Sequence, residues 1–291
     1  MAQILNSKPV IDKYRETLKQ RSENFFKASG QRPCLKVVLV GEDPASKVYT
    51  GHKKRFCDSI SADCEIIALP KSTEEQEFLS KVDELSNHQG VHGIIIQLPL
   101  PQHLAHLDVS QLIPAHKDVD GFHPLNIDAI IRGRESKQFL PCCTPRGVIT
   151  LLDEYQIELA SKHVLIIGRS MIVGKPLSLM FLNRHATVTM AHSRTPNIHE
   201  LAQMSDIIVS AVGRPKFLGS SILNSKKEQI LVDVGINRDS NGSLCGDFDY
   251  DDLVEHVTAI TPVPGGVGPM TVMTLAQNLL QAAENTLNTS L

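Results

Sequence analysis

Residues 163–182, HVLIIGRSMIVGKPLSLMFL, decide the fold. The run 164–167 is apolar and short enough for a buried strand, Gly168 ends it, and after a polar loop Pro176 opens an apolar segment of helical character. Strand, glycine turn and helix follow one another in a βα unit. The start of such a helix leaves backbone N–H groups unpaired and aimed at the turn, which favours an anion such as a dinucleotide pyrophosphate. Glycine at 168 and 174 lets the backbone come close to that anion. The spacing Gly168-x5-Gly174-x-Pro176 departs from the usual G-x-G-x-x-G, so an ordinary βα turn in an α/β core stands as the alternative.

The next strand bears on the cofactor. About twenty residues past the first glycine, an NAD site offers an acidic residue to the ribose hydroxyls, whereas a 2′-phosphate is met by Arg or small hydroxyl groups. Here 186–191 is the candidate strand, and His192, Ser193, Arg194 and Thr195 follow it with no carboxylate. With Arg169 in the turn, the pocket is neutral to positive and predicts NADP. The alternative is a polar loop capping the next helix.

At 291 residues the chain can form two domains, each with its own core. A hydrophobic share of 42% and a charged share of 21% are those of a soluble globular protein. The formal net charge of −3 gives no electrostatic reason to expect nucleic acid or an anionic membrane as partner. No basic-then-apolar leader and no apolar run of membrane-spanning length is present, which predicts a cytoplasmic protein. Six cysteines at 34, 57, 64, 142, 143 and 245 form no C-x-x-C pair, and the twelve histidines form no H-E-x-x-H group. Free thiols in a reducing compartment and no metal are therefore expected.

Along the chain, 7–26 reads as a helix with Val10, Tyr14 and Leu18 on one face and Ser7 as its cap. A strand at 34–40 is closed by Gly41, Glu42-Asp43-Pro44 turns the chain, and a helix runs to 57. A strand at 65–69, a helix opened by a capping box of Thr73 and Gln76, and a strand at 91–96 complete a parallel α/β rhythm. The proline-rich stretch 99–145 reads as the connection between two domains, and Thr144-Pro145 as the cap and first turn of the next helix. The second half carries strands at 164–167, 186–191, 206–212, 230–234 and 257–260, with an Asn-Gly turn inside 237–243. A closing helix at 270–288 is expected to pack back on the first domain.

Several residues could carry chemistry. Tyr49 and Lys53, four apart, share one face of the helix that follows the first long strand, and in parallel sheets ligands collect at the carboxyl ends of strands. Tyr49 offers a flat face and a hydroxyl; Lys53 can move a proton if desolvation favours its neutral form. One solvated basic helix side, Lys53-Lys54-Arg55, is the alternative. Gln97 emerges from the run ending at Ile96 and could hydrogen-bond Lys53, or simply satisfy loop backbone. In Lys117-Asp118-Val119-Asp120-Gly121 the two acids supply too few oxygens for a metal. One carboxylate then belongs to the turn while the other accepts hydrogen bonds from a ring with adjacent N–H donors. The glycine- and proline-dense segment 262–269 suggests backbone laid against a ligand, or a rigid hinge.

Six stretches in order make one resemblance: Val40-Gly41 with Ser46-x-x-Tyr49-x-x-x-Lys53, Gln97-Leu98-Pro99-Leu100-Pro101, Lys117 through Gly121, Gly168-Arg169-Ser170-x-x-Val173-Gly174-x-Pro176, Val234-Gly235-Ile236-Asn237, and Pro262 through Thr271. Together they resemble the bifunctional methylenetetrahydrofolate dehydrogenase/methenyltetrahydrofolate cyclohydrolase family across nearly the whole chain. The resemblance implies an α/β fold of two domains with a cleft between them. An N-terminal three-layer catalytic domain, 1–143, would be completed by the C-terminal helix, 272–291, and a Rossmann-type NADP-binding domain would occupy 144–271. It implies Lys53 as general acid/base, Gln97 tuning it, Tyr49 stacking on the folate and Asp120 holding the pterin, with Ile96, Leu98, Pro264, Gly265, Gly266 and Val267 lining the folate site. The cofactor would lie on Gly168, Arg169, Ser170, Val173, Gly174, Ser193, Arg194, Ile236 and Thr271. The implied reactions are NADP-dependent oxidation of 5,10-methylenetetrahydrofolate and hydrolysis of the methenyl product to 10-formyltetrahydrofolate, by a homodimer. A dehydrogenase without useful hydrolysis is the nearer alternative, and a noncatalytic nucleotide-sensing protein the more distant one. One departure stands out: the family usually reads Pro-Cys-Thr-Pro where this chain has Pro141-Cys142-Cys143-Thr144-Pro145, so Cys142 takes the usual proline position and predicts a slightly less rigid connection.

Overall fold

The apolar runs of the two halves separate into two parallel sheets. In the computed structural model of the chain, residues 2–134, 137–224 and 228–288 are described. The elements in order are β1 (Gln3–Ile4), α1 (Ser7–Ser29), β2 (Cys34–Val40), α2 (Pro44–Ser59), β3 (Asp63–Leu69), α3 (Glu75–Asn87), β4 (Gly93–Ile96), α4 (Pro124–Ile131) and α5 (Cys143–Glu154). They continue with β5 (His163–Ile167), α6 (Gly174–Asn183), β6 (Thr187–Ala191), α7 (Ile198–Gln203), β7 (Ile207–Ser210), β8 (Ile230–Asp233), β9 (Asn237–Arg238), β10 (Leu244–Cys245), α8 (Tyr250–Leu253), β11 (Ala259–Ile260) and α9 (Val267–Asn288). The chain forms two compact units, one of Met1–Asp12 with Thr144–Thr271 and one of Lys13–Cys143 with Val272–Leu291.

In the unit built on residues 13–143, three parallel strands lie in the order β3-β2-β4, with Val37 paired to both Ile66 and Ile95. β4 and the second half of β2, 37–40, are apolar without alternation because both faces are covered. Val38, Val40, Ile94 and Ile96 pack on Phe78, Val82 and Leu85, the inward stripe of α3 at spacings of four and three. The buried Lys117 ammonium donates to Ser86 O and His88 O, both at 2.8 Å, where it meets the negative end of α3, and burial lowers its pKa. A Cβ at Gly93 would lie 2.6 Å from Val119 Cγ1 and 2.9 Å from Leu279 Cδ1, so glycine there lets α9 and the 119 loop close on the sheet. Arg21 on α1 pairs through two hydrogen bonds of 2.8 Å with Glu284 on α9.

The other unit holds six parallel strands in the order β1-β11-β8-β7-β5-β6. After β6 the chain crosses to the opposite side of β5 to place β7, a reversal of strand order that leaves a crevice at the carboxyl ends of β5 and β7. Leu165, Ile167, Ile208, Leu231, Phe248 and Ile260 belong to one core beneath it. β9 and β10 form an antiparallel hairpin whose loop, 239–243, contains Asn241-Gly242; Gly242 alone in it takes a positive φ, +80, so the loop is longer than the two-residue turn of the Asn-Gly signal.

Several expectations are corrected. Residues 1–12 belong with the six-stranded sheet, because β1 pairs with β11 and Tyr155 Oη donates to Asn6 O at 2.9 Å. The stretch 99–143 is no mere connection: Ile94 bridges Asp118 in parallel and α4 lies within it. Asn6 Oδ1, not Ser7, accepts the first free amide of α1, from Lys8 N at 2.8 Å, while Ser7 Oγ donates to Gly265 O at 2.7 Å. The Thr73 box is absent, since α3 starts at Glu75 without a side-chain cap and Thr73 Oγ1 is buried with no partner. α5 starts at Cys143, so Thr144 lies inside it and bonds Thr271 Oγ1 at 3.0 Å instead of capping. α6 opens at Gly174, ahead of Pro176, and α9 at Val267, ahead of Met270.

Candidate active site

In the unit of residues 13–143, β2 leaves the sheet through Gly41 at φ +86, and Asp43 caps α2 by accepting Ser46 N at 2.7 Å. Pro44 at the first helical position fixes the entry. The geometry sends Tyr49 and Lys53 out on one face of α2. Lys53 Nζ donates to Gln97 Oε1 at 3.1 Å. Gln97 N donates to Val38 O at 2.9 Å and its Nε2 to Leu98 O at 2.8 Å. With its nitrogen end spent on that carbonyl, Gln97 turns its oxygen to the lysine, an uncharged acceptor that holds the amine in place. Tyr49 is 40% exposed and Leu98 46% exposed, while Ile96 is buried. Burial raises the Tyr49 phenol above its usual pKa, so it stays protonated and able to donate.

Of the two acids of 117–121, Asp118 is the one held in the turn. Asp118 is buried and accepts Gly121 N at 3.1 Å, His123 N at 2.6 Å and Asn126 Nδ2 at 3.3 Å; burial above all raises its carboxyl to about 6. Asp120 is half-buried, and its side chain makes no hydrogen bond among the described residues. The loop carrying it is clamped from behind. Asn278 Nδ2 donates to Val119 O and Pro141 O at 2.9 and 2.8 Å, Cys143 Sγ donates to Val119 O at 3.1 Å, and Cys142 Sγ to Gly121 O at 3.0 Å. Cys142 thus contributes a donor that a proline in its place would lack. The Cys143 thiol, raised well above its usual range by burial and then by Asp120, is pulled back by Lys53, so both charges lie within its electrostatic reach.

In the unit of the six-stranded sheet, Gly168 has φ +135, and a Cβ there would lie 2.6 Å from Ala211 O. A Cβ at Gly174 would fall on Gly168 O. Both glycines therefore create a backbone cradle that any side chain would fill, which fits a dinucleotide. The expected unpaired amides at the start of α6 are not found: Ser170 Oγ accepts Val173 N at 3.1 Å and Gly174 N at 3.4 Å, Ser170 O accepts Lys175 N at 3.0 Å, and Pro176 has no N–H. Arg169 and Ser170 are exposed. After β6, His192 N donates to Thr195 Oγ1 at 2.9 Å in a tight turn that leaves Ser193 and Arg194 exposed at its tip.

Ile236 is 43% exposed, with the start of α9 beneath it: a Cβ at Gly268 would meet Ile236 Cδ1 at 3.3 Å. Thr271 is tied to Thr144. Of 264–267, Pro264 is exposed, Gly265 has φ +104, and Gly266 and Val267 are buried, so contact at Val267 would come from its backbone. Tyr49, Lys53, Ile96, Gln97, Leu98 and Asp120 fall in one unit; Pro264 through Val267 fall in the other with the expected cofactor residues. Sequence reasoning missed the 211–214 loop after β7, which faces Gly168 across the crevice; the glycine at 213, three residues past the end of a buried strand, was its signal. Among the described residues, no three His, Cys, Asp or Glu side chains converge as a metal site, and no helix is long and apolar enough to cross a membrane.

Two family profiles match: "Tetrahydrofolate dehydrogenase/cyclohydrolase, catalytic domain" over residues 5–120, and the same family's "NAD(P)-binding domain" over residues 142–287. The chain belongs to the tetrahydrofolate dehydrogenase/cyclohydrolase family. A relative named bifunctional protein FolD from Halalkalibacterium halodurans is 45% identical over 97% of this chain and 99% of its own length. The solved structure of a bifunctional methylenetetrahydrofolate dehydrogenase/cyclohydrolase from Campylobacter jejuni superposes with a TM-score of 0.92 at 38% identity, covering 98% of this chain and 100% of that one. That of the Trypanosoma brucei dehydrogenase-cyclohydrolase, complexed with NADP cofactor and inhibitor, gives a TM-score of 0.90 at 28% identity over 98% of each chain. In family terms, Tyr49, Lys53, Gln97 and Asp120 lie in the catalytic-domain match, and the 168–174 cradle in the NAD(P)-binding match.

Proposed function

We propose that the chain oxidises 5,10-methylenetetrahydrofolate with NADP and hydrolyses the 5,10-methenyl product to 10-formyltetrahydrofolate, with Lys53 as the proton carrier of the second step. The observation that carries this reading is the 3.1 Å hydrogen bond from Lys53 Nζ to Gln97 Oε1 within the family's catalytic domain. In the hydrolysis, water adds to the cationic amidinium-like carbon and loses one proton; as one C–N bond breaks, the departing nitrogen gains that proton and the hydroxyl releases its own to solvent, leaving the neutral formyl carbonyl. Lys53 as amine takes the first proton and as ammonium returns it. Gln97 orients that amine without adding a charge. Tyr49 gives the pterin a flat face to stack on, and the two oxygens of Asp120 accept from adjacent ring N–H groups.

The nicotinamide of NADP, when bound, takes the hydride in the first step. The chain's part there is to hold it, with Gly168 and Gly174 against the pyrophosphate and Arg169, Ser193 and Arg194 around the 2′-phosphate. Val173, Ile236 and Thr271 complete this surface in the reading, and Pro264 through Val267 supply backbone to the folate. A cytoplasmic homodimer completes it; the free state of all six cysteines is in keeping with a reducing compartment.

A spectrophotometric assay with methylenetetrahydrofolate tests the proposal. NADPH should form faster than NADH, and the methenyl absorbance should decay faster than its spontaneous hydrolysis. NADPH with a persistent methenyl signal would leave a dehydrogenase alone, and a preference for NAD would overturn the cofactor assignment.

A further inference from the structure

Asp247 is fully buried, yet its carboxylate receives five hydrogen bonds. Oδ2 accepts Ser210 Oγ at 2.9 Å, Val212 N at 2.8 Å and Gly213 N at 3.4 Å; Oδ1 accepts Arg214 N and Asn237 Nδ2, both at 2.9 Å. Successive amides pointing into one concavity form an anion-binding nest. Here the protein fills that nest with its own carboxylate. Asp247 is itself anchored, its N–H donating to Asp233 Oδ1 at 3.0 Å, and Asp233 also accepts Gly235 N at 2.9 Å and Phe248 N at 2.8 Å. A Cβ on Gly235 would fall on the Asp247 carboxylate, and one on Gly246 on that of Asp233, so glycine at both positions admits the pair.

The loops held this way are the ones that follow β7 and β8. The 211–214 loop touches Gly168 across the crevice between β5 and β7, and Ile236 sits between Gly235 and Asn237, both of which lean on Asp247. We infer that Asp247 is a positioning residue of the cofactor site, an internal anion that sets the 211–214 loop and Ile236 against the dinucleotide without touching it. This rests on the reading that the six-stranded unit binds NADP.

Asp247→Asn keeps the shape but turns an NH2 group toward donors, leaving buried amides unpaired. The expected result is a rise of about tenfold in KM for NADP with kcat changed far less, and hydrolysis of supplied methenyltetrahydrofolate, measured without NADP, within about twofold of the unsubstituted chain. Asn237→Ala, which removes one of the five bonds, should raise the same KM by about threefold and decides the matter if Asp247→Asn fails to fold. An unchanged KM in a folded variant, or equal loss of both activities, would contradict the inference. An unsubstituted chain that neither binds nor reduces NADP would instead contradict the cofactor reading beneath it.

Discussion

At 41–44, β2 passes into α2 through Gly41 and a helix capped by Asp43; at 168–174, β5 passes into α6 through Gly168 and a start folded back on Ser170. A Cβ at Gly41 would meet Lys71 Cβ no closer than 3.6 Å, whereas one at Gly168 would press on Ala211 O at 2.6 Å. In the first turn glycine serves only the backbone angle; in the second it keeps space clear. The working groups differ accordingly. α2 presents side chains, Tyr49 and Lys53, well inside the helix, while the second turn offers backbone and the short reach of its loop. One βα plan thus presents helix side chains in the unit of the catalytic-domain match and a cleared backbone turn in the unit of the NAD(P)-binding match.

Substitutions should separate the two. Gly174→Ala puts a methyl group on Gly168 O, and the displaced turn should cost the dehydrogenase about a hundredfold while hydrolysis of supplied methenyltetrahydrofolate keeps at least about half its rate. Steady-state rates of both reactions check this; parallel loss would erase the distinction. Arg194→Ala should raise KM for NADP about tenfold and leave that for NAD unchanged, read from paired titrations.

Acid sharpens the contrast. Burial, with Lys117 nearby, lowers His92 to about 4, and its Nδ1 accepts Cys34 N at 3.0 Å. The unfolded chain takes up this proton below about 6.5, so the stability His92 contributes is present above that pH and lost as pH falls toward about 4. Asp118, raised to about 6, and Asp233, raised to about 7, act oppositely: the stability each gains from its bound proton is lost as pH rises. His92→Gln should therefore lose less stability than the unsubstituted chain between pH 7 and 5, measured by urea midpoints. The smallest effect belongs to Asp43→Ala, which removes a cap worth about 1 kcal/mol and should lower the unfolding free energy by that amount with little change in KM for NADP.

Much of this was legible because the signals are local or follow from strand order. The run 34–40 and the alternation with helices announce a parallel sheet, and the pairing of β2 with β4 sets Gln97, at the end of β4, within reach of Lys53 on α2, far from it in sequence. The turn chemistry of 117–121 separates Asp118 from Asp120. What escaped depends on distant partners. β1 is two exposed residues with no pattern of its own, fixed only by β11. Ser7 and Thr144 are good caps in sequence, but Gly265 O and Thr271 Oγ1 claim their hydroxyls. The 211–214 loop is shaped by a carboxylate more than thirty residues downstream, which no local motif reveals.

Lys53 is the proposed proton carrier of the hydrolytic step. Lys53→Met keeps the length of the side chain and removes the amine, so supplied methenyltetrahydrofolate should decay more slowly by at least about a hundredfold, with folding intact by circular dichroism and NADP still bound. Decay at the unsubstituted rate would show that Lys53 does not carry that proton.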